Sequence, residues 1–152
     1  MIRELPDGYE LDDDPRRIDV DVVHRFLSEE SYWALGRSHA DVVASIEGSP
    51  RVCGVYCAGE LVGFARVITD KATFALLSDV FVLAEHRGRG LGVELVRETI
   101  DGGPYRDLSW GLSTNDAQGL YAKFGFIEAG VFRQVGWKFD RWLDLVFLQK
   151  ML

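Results

Sequence analysis

His86-Arg87-Gly88-Arg89-Gly90-Leu91-Gly92 is the stretch on which the reading of this chain turns. Before it runs Leu76-Leu77-Ser78-Asp79-Val80-Phe81-Val82-Leu83, an apolar segment of strand character. After it, Leu91, Leu95, Val96, Thr99 and Ile100 fall on one face of a helix. A strand, a glycine loop and a helix in that order aim several backbone N–H groups and the positive end of a helix dipole at one point. The natural ligand of such a point is a phosphate or pyrophosphate. Arg87 and Arg89 add cationic side chains to the same field, and their alternative role is that of solvated surface charges.

Working outward, Tyr9-Glu10-Leu11 reads as a short strand, and Asp19 as the N-cap of a helix through about Ser28 with Val22, Val23, Phe26 and Leu27 on its apolar face. Ser31-Tyr32-Trp33-Ala34-Leu35-Gly36-Arg37 interrupts that pattern. Ser38 with Asp41 three residues on resembles a capping box for a second helix through Ile46. Arg51 to Cys57, the turn Ala58-Gly59 and Glu60 to Thr69 read as a hairpin, and a third strand is expected from Ala72 to Leu83. Beyond the glycine loop and its helix, Gly102-Gly103-Pro104 stops the chain before a strand over Leu108 to Thr114. The intervening helix makes this strand the parallel neighbour of the one before the loop. Asn115 is expected to cap a short helix carrying Ala117, Leu120, Tyr121 and Phe124, and two final strands are expected near Phe126–Val135 and Trp142–Leu148.

Composition sets bounds on function. With 152 residues, 47% of them hydrophobic and 27% charged, the chain is expected to form one domain over residues 1–152. A net charge of −7 argues against nucleic acid and anionic membrane as partners, both of which call for a basic surface. No apolar run approaches the roughly 20 residues that cross a bilayer, and Met1 to Asp14 lacks the order of a signal peptide, so a cytoplasmic location is the expectation. Cys53 and Cys57 lie in one strand, about 13 Å apart, too far for a disulfide, and read as small buried hydrophobes. His24, His39 and His86 form no ligand spacing and are expected at the surface, so no metal is expected.

A Walker loop is absent and the glycine spacing is not that of a dinucleotide fold. Arg87-Gly88-Arg89-Gly90-Leu91-Gly92 matches Arg/Gln-x-x-Gly-x-Gly/Ala, and further on comes Asn115-Asp116-Ala117-Gln118-Gly119-Leu120-Tyr121-Ala122-Lys123-Phe124-Gly125-Phe126. Together these resemble the GCN5-related N-acetyltransferase (GNAT) superfamily, over the order of elements from about Ile18 to Leu148. The resemblance implies a mixed α/β fold: a central, mostly antiparallel sheet with one splayed parallel strand pair, flanked by helices. It implies acetyl-CoA as co-substrate, its pyrophosphate on Arg87, Gly88, Arg89, Gly90, Leu91 and Gly92 and its pantetheine along Val80 to Leu83, with Asn115 nearby. A backbone N–H of Phe81 or Val82 would polarise the thioester carbonyl, and Tyr121 matches the family's general acid; its alternative is a core tyrosine. Asp79, a carboxylate in an apolar strand, is either a general base or a structural partner of Arg66. Tyr32, Trp33 and Arg37 either line the acceptor site or pack.

The segment from Gly130 to Asp144 is similar to the C-terminal end of phosphinothricin-type acetyltransferases, which acylate an amino-acid-like amine. The expected activity is direct acetyl transfer to a primary amine of a small molecule, with no acyl-enzyme. A protein lysine or N-terminal acetyltransferase and a non-catalytic acyl-CoA sensor are the alternatives. Family analogy also allows a homodimer through the C-terminal strands.

Overall fold

The computed structural model describes residues 2–138 and 140–151. Its strands are β1 (Arg3–Glu4), β2 (Tyr9–Asp12), β3 (Arg51–Cys57), β4 (Glu60–Thr69), β5 (Phe74–Val82), β6 (Ser109–Thr114), β7 (Ile127–Lys138) and β8 (Arg141–Lys150), and its helices α1 (Val20–Arg25), α2 (His39–Glu47), α3 (Leu91–Asp101) and α4 (Gln118–Ala122). The strands form one sheet in the order β1-β2-β3-β4-β5-β6-β8-β7, antiparallel except for the pair β5–β6. This is the mixed α/β architecture that the sequence resemblance implies. Among the described residues no helix is long and apolar enough to cross a membrane.

Each face of the sheet has its own core. On one, Leu91, Leu95, Val96 and Ile100 of α3 meet Cys53, Val55, Ala65, Val67, Ala75 and Leu77, together with Trp110 and Leu112 of β6. On the other, Val23, Phe26, Leu27, Val42 and Ile46 from the α1–α2 side cover Val52, Tyr56, Phe64 and Phe81. The five residues read from sequence as one face of α3 are all buried. Cys53 is buried and Cys57 half-buried, both as free thiols.

Local chemistry moves several boundaries away from the expected ones. Asp19 caps α1 as expected, but after Arg25 the chain widens into a π-helical stretch over Phe26–Glu30, where the Ser31 N–H bonds to the Phe26 carbonyl at 3.0 Å. The hydroxyls of Ser28 and Ser31 take the carbonyls of His24 and Leu27. The start of β5 moves from Ala72 to Phe74 because the Asp70 carboxylate accepts the N–H groups of Ala72, Thr73 and Phe74. Asn115 does not cap α4. Thr114 Oγ1 accepts the Ala117 N–H at 3.1 Å, and the helix starts at Gln118. His86 is half-buried rather than at the surface, with Nδ1 2.9 Å from the Tyr9 hydroxyl.

Two irregularities position the functional cleft. In β4–β5 pairing, Phe64 faces Phe81 but Arg66 faces Ser78, so Ala65 opposes both Asp79 and Val80. The extra residue is a β-bulge, and Asp79 adopts a left-handed φ of 52°, a conformation that Asp tolerates better than most residues. Because side chains alternate with a period of two, one extra residue exchanges the faces. Before the bulge Leu77 points to the α3 core; after it Phe81 points to the opposite core and stacks on Phe26 with centroids 4.1 Å apart. The second irregularity is that β5 and β6 pair only at Phe74↔Ser109, Ala75↔Trp110 and Leu76↔Gly111. Beyond these residues β6 runs with β8 and β5 with β4, and a gap opens between them.

Leu95 is fully buried at the centre of the α3 core, whereas the Arg97 side chain is about half exposed and ion-paired to Glu94. Leu95→Ala should cost about 2–5 kcal/mol, and Arg97→Ala less than about 1 kcal/mol. Thermal denaturation of the two variants checks this, and equal shifts would mean that α3 does not bury the face described.

Candidate active site

The gap between β5 and β6 is a cleft of about 420 Å³, within the range of small-molecule sites. Asp79, Val80, Phe81 and Val82 of β5 form one wall. Thr114, Asp116, Ala117, Leu120 and Tyr121 form the other. Phe26, Glu30, Tyr32 and Trp33 close it from the α1–α2 side, and Arg87 and Gly92 stand at the end where β5 runs out.

That end carries the glycine loop. Gly88 and Gly90 have φ values of 78° and 76°, and a side chain at either position would meet nothing within 4 Å, so the loop is open to an approaching group. Gly90 is the N-cap of α3, and its carbonyl accepts from the N–H groups of Val93 and Glu94. The N–H groups of Leu91 and Gly92, in the first turn, have no carbonyl one turn back to bond to. Leu91 itself is buried in the core, so only its backbone faces the loop. Arg89 is exposed. Arg87 reaches back to donate from Nε to the Val82 carbonyl at 2.8 Å.

That bond also fixes the orientation of the β5 edge. The Val82 carbonyl points into the cleft, and in an extended strand the N–H of the same residue points the same way. The Phe81 peptide faces β4 instead, its carbonyl lying 3.1 Å from where a Gly63 Cβ would stand. Of the two peptide groups considered from sequence, Val82 is the one that opens on the cleft.

Asp79 is the anchor of the α1–α2 connector. Its side chain is 1% exposed. Oδ2 accepts from Arg66 Nε at 2.6 Å and from Arg37 Nη1 at 2.7 Å, and Oδ1 accepts from Trp33 Nε1 at 3.0 Å. Burial alone would raise its pKa, but the guanidinium groups of Arg66 and Arg37 outweigh burial and hold it below the usual carboxylate range. A general base needs the opposite shift. Arg37 is committed to this cluster and does not line the cleft.

On the far wall, Tyr121 lines the cleft, 7% exposed and edge-on to Phe126. Burial, and then the neighbouring Tyr32 and Asp116, push its phenol well above the ordinary range, so it keeps its proton at physiological pH. Asn115 lies just outside. It borders a shallow groove with Gln134, Arg141, Trp142 and Asp144, and its N–H donates to the Tyr32 hydroxyl at 2.8 Å. That groove belongs to the Gly130–Asp144 segment, of which Phe139 lies outside the described residues.

The structure thus gathers Asp79, Phe81, Val82, Arg87, Gly92, Tyr121, Tyr32 and Trp33 around one cleft, with the remaining glycine-loop residues beside its mouth. Sequence reasoning missed Glu30, Thr114 and Asp116. A threonine followed by Asn-Asp at a strand end is the signal that could have marked the last two, since such residues hold turns through their side chains. Among the described residues no group of three His, Cys, Asp or Glu side chains is arranged to hold a metal ion.

Comparison with known proteins bears on the family and the fold. The model of the acetyltransferase (GNAT) domain matches residues 49–128. Phosphinothricin N-acetyltransferase of Alcaligenes faecalis is 38% identical over 104 residues, covering 62% of this chain and 53% of that one, so the chain spans about half the length of this relative. A GNAT-family protein of Xanthomonas campestris superposes with a TM-score of 0.75 at 41% identity, covering 78% of this chain and 84% of that one. A phosphinothricin acetyltransferase of Sinorhizobium meliloti, solved in complex with acetyl-CoA, shares the fold at a TM-score of 0.76 and 18% identity, covering 94% and 88% of the two chains.

Removing the Asp79 carboxylate strands two guanidinium groups and an indole N–H. Asp79→Ala should therefore destabilise by about 3–5 kcal/mol, a fall in Tm of roughly 6–20 °C for a chain of this size. Because the folded pKa is depressed, the contribution is fully present above the unfolded value near about pH 4. It is lost as the pH falls through the lowered native value. Melting curves of wild type and variant should converge only in acid, and a gap that stays constant from neutral pH downward would refute the ion-pair account.

Proposed function

The chain belongs to the GNAT acetyltransferase family, and we propose that it transfers acetyl from acetyl-CoA directly to the primary amine of a small, amino-acid-like molecule. The observation that carries this reading is the alignment of three features along one cleft: the glycine loop with Arg87, the inward-facing Val82 peptide and the buried Tyr121 phenol. When bound, acetyl-CoA supplies an acetyl group activated as a thioester.

The chain's own residues do the rest. The N–H groups at the start of α3 and the side chains of Arg87 and Arg89 hold the pyrophosphate, where the helix dipole favours negative charge. The free β5 edge offers peptide groups to the pantetheine amides in the manner of an added strand. We assign the Val82 N–H, which opens on the cleft, as the donor that would meet the thioester oxygen and stabilise the negative charge that grows there as the amine nitrogen attacks the carbonyl carbon. As the new C–N bond forms the amine loses a proton to solvent, the C–S bond breaks, and Tyr121 gives its proton to the departing thiolate, to be reprotonated from solvent. We assign Asp79 to anchoring rather than to proton abstraction, since two guanidinium groups and an indole N–H hold it as a buried carboxylate with a lowered pKa. The amino-acid-like acceptor rests on the activity named for the Alcaligenes relative and on the similarity of the C-terminal segment.

A screen of acetyl-CoA-dependent thiol release tests the acceptor over phosphinothricin, amino acids, polyamines, aminoglycosides and a lysine peptide. Release should be fastest with an amino-acid-like amine. Preference for the peptide would replace the acceptor class, and no release with any amine would refute acyl transfer. Tyr121→Phe should lower kcat by about 100-fold or more while leaving acetyl-CoA affinity near the wild-type value; unchanged turnover would remove the general acid.

A further inference from the structure

We propose that Tyr32 is a positioning residue for the reaction: its hydroxyl pins the Asn115–Ala117 turn and thereby fixes how α4 presents Tyr121 to the cleft. The proposal rests on the acyl-transfer reading above and adds to it a residue on the opposite side of the cleft.

The helix that carries Tyr121 cannot hold itself. It has five residues and no side-chain cap from Ala117, far below the length at which a helix is stable alone. Its direction is set by the turn before it. Thr114 Oγ1 accepts the N–H groups of Asp116 and Ala117, at 3.4 and 3.1 Å. The N–H of Asn115 goes elsewhere, across the cleft to Tyr32, whose hydroxyl accepts it at 2.8 Å and donates to Asp116 Oδ1 at 3.3 Å.

Tyr32 is itself held firmly. The preceding residue, Ser31, is buried, with its hydroxyl donating to the Leu27 carbonyl and accepting from the Ala34 N–H. The following residue, Trp33, meets the Tyr32 ring edge-on at 5.0 Å and donates to Asp79 on β5. Two adjacent aromatic residues of one connector therefore grip the two strands that diverge around the cleft, Trp33 at β5 and Tyr32 at the end of β6. The connector is a brace of fixed span. What it fixes on the β6 side is the turn from which the general acid emerges.

A double-mutant cycle in kcat between Tyr32→Phe and Tyr121→Phe, with the amine selected by thiol release, tests the coupling. Tyr32→Phe keeps the ring and its contact with Trp33 and removes only the hydroxyl. It should lower kcat by about tenfold or more with the KM for acetyl-CoA nearly unchanged. In the Tyr121→Phe background the same change should have no further effect, because residues that act through one another are not additive. Equal factors in both backgrounds, or wild-type kcat for Tyr32→Phe, would overturn the positioning role and leave acyl transfer standing. A Tyr32→Phe chain that fails to fold by circular dichroism makes the hydroxyl structural and overturns it too. A silent Tyr121→Phe removes both the general acid and its positioner, and the absence of thiol release with any amine removes the whole scheme.

Discussion

A buried carboxylate between two guanidinium groups is the interaction on which the rest of the cleft depends. Asp79 sits at the bulge in β5, where its left-handed backbone exchanges the faces of the strand and turns Phe81 towards Phe26. The same residue binds Arg66 of β4, and through Arg37 and Trp33 it ties the connector between α1 and α2 to the sheet. Burying one charge between two opposite ones is costly to desolvate and more costly to undo, since loss of one member leaves the others unpaired. The bulge and the ion pairs are thus one device: the extra residue makes room for the carboxylate, and the cations compensate its charge.

Much of this molecule could be read before folding, because its signals are local. The β3–β4 hairpin is marked by Ala58-Gly59, the buried stripe of α3 by its period, and the anion loop by glycines that occupy left-handed positions. Both of the first two caps, Asp19 and Ser38, act as their residue types predict. The bulge left a single trace, an aspartate in an apolar run, for which the sequence offered Arg66 as a partner but from which neither Arg37 nor the change of face could be derived. Arg66 is thirteen residues distant, on the neighbouring strand of a readable hairpin run, whereas Arg37 is forty-two distant and no local pattern encodes that contact.

The helix cap at Asn115 failed for a related reason. An asparagine before a helix is a good cap by propensity, yet Thr114 lies one residue closer to the strand and accepts the relevant N–H groups first. The Asn115 N–H is then left for a hydroxyl that arrives from 83 residues away in sequence. The arrangement of the last strands is equally non-local. β8 lies between β6 and β7, so the chain passes its neighbour position and returns to it. Local periodicity identifies both strands but carries no information about which pairs with β6.

The Arg87 contact with the Val82 carbonyl has a consequence for solubility. A strand that parts from its neighbour in mid-sheet exposes a row of unpaired peptide groups, and such a row can template the addition of any extended chain, including an unfolded copy of the same protein. A charged, flexible side chain laid across the last of these groups makes the edge a poor template for apolar segments. It can still yield to a ligand that carries its own negative charge. One arginine therefore sets a positive charge on the last acceptor of the open seam, which favours a polyanion there over an apolar strand.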